Sequence, residues 1–251
     1  MNDATGKTVN FDIYDRLRRY DQLLGGDVDF AFQTIIDAQE FEVVGFEALV
    51  RGIHKEPAAQ ILSRIGHAER FDFDQACRVR AIQAAAEFGI DADLHLNAAS
   101  IKPGNVDEVV EVTRHLTRRH KVEPERIVFE LSNLDAIGSA EALERVHDAL
   151  SGAGFRTLAD NFGQRDADLR PLAIFRPDMI KLDHRLVEHI HERRTAQATA
   201  MAAIAFCRSL GIEPMAMGVE SADEFRWLQT AGIRFYQGYF FAQPGMNSDS
   251  D

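Results

Sequence analysis

Apolar residues recur along this chain with two different periods. After a polar start of ten residues expected to fray, Ile13, Leu17, Tyr20 and Leu24 follow at four-three-four spacing, which predicts a short amphipathic helix halted by Gly25-Gly26. Two readings of that helix stand side by side: packing on the flank of a domain, or a stub that pairs two subunits. From Asp29 the pattern becomes repetitive. Runs rich in β-branched and aromatic residues predict eight strands, at 29–36, 41–50, 93–97, 126–132, 155–160, 178–183, 212–217 and 233–237. Helix-like stretches lie between most of them, at 57–65, 72–88, 106–119, 139–152, 193–209 and 222–230, with only a short piece after Asp160. Such alternation argues for a parallel sheet, and this number of strands for a closed barrel. Only Asp37 to Glu40 separates the first two runs, too little for a parallel crossover, so that pair is expected to be an antiparallel hairpin. The predicted fold is α/β, a TIM-like (β/α)8 barrel with one antiparallel strand. It spans 28–245, between an N-terminal tail and helix at 1–27 and a disordered acidic tail at 246–251.

Composition narrows the function. The 251 residues suit one compact unit, and 45% hydrophobic with 27% charged residues are globular proportions. Lys and Arg number 28 against 40 Asp and Glu, a formal charge of -12. With no basic run in view, polymeric nucleic acid is not expected as a ligand, while a small anion in a local pocket stays open. Cys77 and Cys207 alone exclude a disulfide framework. The start lacks a signal-peptide pattern and no apolar stretch has membrane-spanning length, so a cytoplasmic protein without membrane association is expected.

In barrels of this type the carboxyl ends of the parallel strands carry the chemistry. Read in order, the strand tips offer Glu47, Asn97, Glu130, Asp160 with Asn161, Lys181 with Asp183, then Glu220 and Gln237. Carboxylates gathered at one mouth repel each other unless a cation neutralises them. Asp, Glu and Asn offer only oxygen and no Cys or His joins the set, so Mg2+ or Mn2+ is expected rather than zinc. Lys181 admits a rival reading as the Schiff-base nucleophile of an aldolase-like enzyme; against it, Asp160 and Asp183 would keep the ammonium charged. His184, His189 and His191 are expected on a solvated helix face. Phe225 and Leu228 are expected in the core, beside a Trp227 without an aromatic partner.

An ordered set of motifs then carries a resemblance. FQTI at Phe32 to Ile35, EALVR at Glu47 to Arg51, LN at Leu96 and Asn97, FELSN at Phe129 to Asn133, ADNFG at Ala159 to Gly163, PDMIKLD at Pro177 to Asp183, AMGVES at Ala216 to Ser221 and YQGYFFAQP at Tyr236 to Pro244 together resemble the EAL-domain family. The likeness covers about residues 28 to 244, and Arg70 to Ile82 looks closest to EAL domains that follow blue-light sensor modules. It implies a barrel that meets cyclic di-GMP. Active members hydrolyse that dinucleotide to linear pGpG with two Mg2+ or Mn2+ ions; others only bind it, or bind a protein.

The same resemblance assigns a first metal to Glu47, Asn97, Glu130 and Asp160, all present. A second would share Asp160 and take the next residue, an aspartate in the family and Asn161 here, which offers an oxygen without charge. The family's proton-accepting carboxylate is replaced by Met217, whose thioether takes no proton. In an active enzyme Glu220 or Lys181 would then have to handle the proton. The segment Gln164 to Asp168 departs from a family loop tied to dimer contacts and metal order, and Asn133 replaces the Glu that tethers it. For the ligand, Arg51 beyond Leu49 suits a phosphate, Gln33, Asp183 and Gln237 suit guanine edges, and Gly238 allows close backbone approach. Their plainer readings are a surface salt bridge for Arg51, a barrel-bottom cap for Gln33 and a helix N-cap for Asp183. The sequence therefore predicts a degenerate EAL domain, a non-hydrolytic cyclic di-GMP receptor or protein-interaction module in bacterial signalling, with one ion well seated and a second poorly. The alternative is an active metal-dependent phosphodiesterase; a homodimer and a protein partner are further expectations.

Overall fold

The structure, a computed structural model, describes residues 11–24, 28–164 and 169–246. The polar start, the Gly25-Gly26 stop, residues 165–168 of the altered loop and the tail from 247 lie outside the described residues. The chain runs α1 (Phe11–Leu24), β1 (Val28–Asp37), β2 (Glu42–Gly52), α2 (Ala58–Leu62), α3 (Arg70–Glu87), β3 (Asp93–Asn97), α4 (Val106–His120), β4 (Ile127–Ser132) and α5 (Ala140–Ser151). It continues through β5 (Arg156–Phe162), α6 (Arg170–Phe175), β6 (Met179–Leu182), α7 (His184–Val187), α8 (Arg194–Leu210), β7 (Glu213–Met217), α9 (Ala222–Ala231), β8 (Phe235–Gln237) and β9 (Gly245–Met246).

All eight expected strands form. Neighbours from β2 to β8 pair in parallel, and β1 closes the ring by pairing antiparallel with both β2 and β8. The short β1–β2 link gives the hairpin it must. The tail boundary shifts, because Met246 pairs with Ala31 as part of β9. α2 is shorter than the predicted 57–65. Of the three histidines only His184 lies on a helix; His189 and His191 follow in a turn with their rings 6.3 Å apart, which corrects the single solvated face. Leu228 is core, and the partly buried Phe225 packs against it within an aromatic cluster with Tyr236, Phe240 and Phe241. Among the described residues, no helix is long and apolar enough to cross a membrane.

Strand alternation explains where the core ends and the site begins, since successive side chains point to opposite faces. Phe129, Leu131, Ile180, Leu182 and Ala216 face outward and pack in one apolar layer with the helices, each large side chain contributing about 1.5–3 kcal/mol by burial. Inside the barrel, Ile35, Val128, Leu158, Met179 and Met215 form a separate apolar floor. One step of the period further toward the strand ends stand Glu130, Asp160, Lys181 and Met217. On the antiparallel β1 the same layer is reached by stepping back, to Gln33, which is paired in register with Glu47. On α1, Ile13, Leu17, Tyr20 and Leu24 are all buried and the helix packs on α3, with Arg19 bound to Asp72 at 2.9 Å. The flank-packing reading of that helix is the one realised in the chain.

Candidate active site

The polar layer of the barrel is organised around a resident cation. Lys181 is 0% exposed, and its Nζ donates to Glu47 Oε2 at 2.9 Å and to both oxygens of Glu130 at 2.7 Å. Gln237 Nε2 also donates to Glu47 Oε2 at 2.7 Å, and Asn97 Nδ2 donates to Glu47 Oε1 at 3.2 Å. The neutralising charge expected of a divalent ion is thus supplied between the two glutamates by the protein itself. This bears on three readings of Lys181. Its partners are Glu47 and Glu130, not Asp183; burial disfavours the ammonium, but Glu130, Glu47 and Asp160 outweigh it and raise its pKa. A lysine held charged in this way neither accepts a proton nor attacks a carbonyl.

The end of β5 is irregular. Asn161 has φ 63°, a left-handed conformation that asparagine tolerates, and pairing with β6 breaks register between Ala159 and Phe162. The kink folds Asn161 back on its neighbour: its backbone N–H donates to Asp160 Oδ1 and its side-chain Nδ2 to Asp160 Oδ2, both at 2.8 Å. An aspartate in that position would set two carboxylates against each other. Asparagine satisfies Asp160 with N–H donors alone.

The carboxylates differ in their protonation. Burial works against the charge on Glu47, but Lys181 and then Gln237 draw its pKa down to about 2. Burial and the neighbouring Glu47 push Glu130 up to about 8, with Lys181 opposing, and burial pushes Asp160 up to about 6. A carboxyl whose pKa rises on folding lends stability below its unfolded value and loses it as pH climbs through the folded one. In EDTA, stability contributed by Asp160 is therefore lost between about 3.8 and 6 and by Glu130 between 4.5 and about 8. Glu47 acts oppositely, and its contribution is lost only as pH falls toward 2. Thermal unfolding in EDTA is expected to fall less steeply between pH 6 and 8 in Glu130→Gln than in the wild type. Parallel profiles would contradict the assignment.

Among the described residues, no three Asp, Glu, His or Cys side chains gather as a ready-made metal cluster. The chemistry of the donors still fits one hard ion: Glu47, Asn97, Glu130 and Asp160 offer oxygen from four neighbouring strands, and the raised carboxyls are those a cation would relieve. The donors for a second ion are poorer. Asn161 turns N–H toward the carboxylate the two ions would share, and Met217, beside Gln237 in register, brings no oxygen.

Other expected contacts divide. Arg51 is half-buried and forms no ion pair; among the described residues its guanidinium bonds only its own strand's Val50 O at 2.8 Å, so the salt-bridge reading fails and most of its donors stay open. Leu49 is half-buried on the same strand, opposite Ala31. Gln237 is 0% exposed and donates to Glu47 and to Gln33 Oε1 at 3.2 Å, so it braces the glutamate where a guanine edge was expected, while Gln33 is half-buried and accepts from Gln237. Asp183 Oδ1 accepts from Arg185 N at 2.9 Å and caps α7, its plainer role. At Gly238 a Cβ would lie 2.2 Å from Val219 O and 2.4 Å from Val219 N, so the glycine permits a backbone crossing inside the protein. Glu220 is exposed, its backbone N–H donates to Glu224 Oε2 at 2.9 Å, and its carboxylate accepts no hydrogen bond among the described residues. Asn133 is also exposed, at the head of a short 3-10 turn.

Two residues escaped the sequence reading. His95 is buried with Nδ1 2.9 Å from Glu130 Oε1, and burial, then Lys181, lowers its pKa to about 3, so a neutral ring shares a hydrogen bond with the glutamate. Its alternation with Asp93 and Asn97 in β3 was the available signal. Arg78, buried on α3, donates from Nη1 to the Asn97 carbonyl at 3.2 Å.

Comparison with known proteins places this geometry. The EAL domain family matches residues 16–244. The blue light- and temperature-regulated antirepressor BluF of Escherichia coli (strain K12) is 30% identical over 220 residues, covering 87% of this chain and 54% of that protein. A standalone versatile EAL protein from Vibrio cholerae O395 in its c-di-GMP bound form superposes with a TM-score of 0.82 at 33% identity, over 89% of this chain and 97% of that one. Klebsiella pneumoniae BlrP1, as a manganese/cy-diGMP complex at pH 9.0, gives 0.81 at 30% identity, over 89% and 57% of the respective chains. The chain spans about half the length of the curated relatives it matches.

Proposed function

Because this chain belongs to the EAL domain family, we propose that it recognises cyclic di-GMP at the barrel mouth as a receptor in bacterial signalling and does not hydrolyse it efficiently. The observation that carries the reading is the closed pair of Asn161 and Asp160, in which both carboxylate oxygens accept from the asparagine where a second cation would need them. Met217 removes the remaining requirement, a group that takes a proton from water. The Vibrio cholerae relative in its c-di-GMP bound form supports the choice of ligand. BluF, matched over most of this chain, carries the name of an antirepressor, which suits an interaction module as well.

In this reading Glu47, Asn97, Glu130 and Asp160 hold one Mg2+ or Mn2+, which when bound supplies positive charge for a ligand phosphate. Arg51 offers a phosphate its free guanidinium donors. Lys181 fixes Glu47 and Glu130, His95 holds Glu130 from the other side, and Gln237 orients Glu47. The reading includes a cytoplasmic location and a homodimer or protein partner downstream. Calorimetry with cyclic di-GMP, in Mn2+ and in EDTA, tests it alongside metal analysis of the liganded protein. Binding with one ion per chain is expected. No heat at high micromolar ligand, or two ions per chain, would contradict it.

A further inference from the structure

The sequence reading that no basic residues gather fails on α4. Arg114, Arg118, Arg119 and Lys121 lie within one helical stretch and its cap, all exposed, and none of their side chains forms an ion pair or hydrogen bond among the described residues. Arg118, Arg119 and Lys121 are nearly consecutive and Arg114 lies one turn before Arg118, so the cluster is present in the sequence and the helix brings Arg114 beside Arg118. Arg114, Arg118 and Arg119 border a groove of about 900 Å³ between α1 and α4. Its apolar side is made by Ile13, Val110 and Tyr14, the last 48% exposed with its ring edge-on to His115 at 5.4 Å. The acids in the groove are already committed: Asp107 is paired with Arg145 at 2.5 Å and Glu111 with Arg16 at 3.3 Å. Arg114 and Arg118 also border a second hollow of about 270 Å³ with Lys121. The groove is thus positive on a chain whose formal charge is -12.

The negative end of α4 accounts for cations in its last turn, but not for Arg114, which lies before that turn. Along α4 the groove runs from Asp107 to Arg119, roughly 18 Å at 1.5 Å per residue. That is long for one phosphate and matches about three turns of a partner helix. We propose that this groove docks an acidic amphipathic helix of a partner protein, its apolar residues lying on Tyr14 and Val110 and its carboxylates meeting Arg114, Arg118 and Arg119. The inference stands apart from the barrel mouth.

The probe is a fluorescein-labelled helical peptide of roughly 15 residues, with leucines at i, i+3, i+4 and i+7 and glutamates elsewhere. Its anisotropy is followed against the full chain without cyclic di-GMP, so that failure here leaves the reading of the mouth untouched. Saturable binding is expected, weakened at least tenfold in Arg114→Glu/Arg118→Glu and severalfold in Tyr14→Ala, with unchanged unfolding midpoints. Arg114→Ala/Arg118→Ala serves if charge reversal disturbs the fold, and the same direction is expected. No binding, equal affinity in the arginine variants, equal affinity for a lysine-leucine peptide, or tighter binding to a DNA duplex or to anionic vesicles would overturn the proposal.

Discussion

Replacing Lys181 by methionine is expected to lower the unfolding midpoint by roughly 6–20 °C at pH 9. The ammonium is the buried cation common to Glu47 and Glu130, and its loss leaves two carboxyls facing one another with Gln237, Asn97 and His95 as their remaining partners. Breaking a buried ion pair by removing one side costs about 3–5 kcal/mol, and a chain of this size shifts by about 2–4 °C per kcal/mol. At pH 5 the loss should be smaller than at pH 9, because Glu130, pushed up to about 8, carries a proton at the lower pH and is largely ionised at the higher. Calorimetric melts of the variant at both pH values check this. A shift under 2 °C at either pH would mean that Lys181 does not hold the polar layer together.

The second large effect is a gain. Met217→Glu with Asn161→Asp is expected to raise cyclic di-GMP hydrolysis in Mn2+ by at least about 100-fold, since a positioned general base contributes roughly 10²–10⁴-fold. The two changes act on separate requirements. The glutamate provides a proton acceptor beside Gln237, and the aspartate breaks the closed Asn161–Asp160 pair and adds the charge a second ion lacks. In EDTA the double variant should be less stable than the wild type, because Asp160 then faces a like charge. A folded double variant without turnover would move the block to residues 164–168.

Much of the fold was legible because alternation and turn spacing are local. The hairpin followed from the few residues between Ile36 and Phe41, and the barrel from strands that repeat with helices between them. The candidate site was legible in its members, since Glu47, Glu130, Asp160 and Lys181 interrupt apolar runs. Its wiring was not. Lys181 lies 134 residues from Glu47 and 51 from Glu130, and no local pattern says that its ammonium stands between them. Gln237 and Gly238 read as ligand contacts because a strand tip was expected to face a ligand; one is buried against Glu47 and the other is crossed by Val219. His95 passed as an ordinary strand residue, although alternation places it inward with Asn97. Arg114, Arg118, Arg119 and Lys121 fall within eight residues and were legible as a basic cluster; the groove beside them, which needs α1, was not.

The most direct test follows the fate of the dinucleotide. The wild-type chain is mixed with a modest excess of cyclic di-GMP and saturating Mn2+, and linear pGpG is measured by chromatography over an hour. The account predicts less than about one product per chain in that time, with the bulk of the bound ligand recovered intact. Steady turnover near 1 per second, an ordinary enzymatic rate, would contradict it.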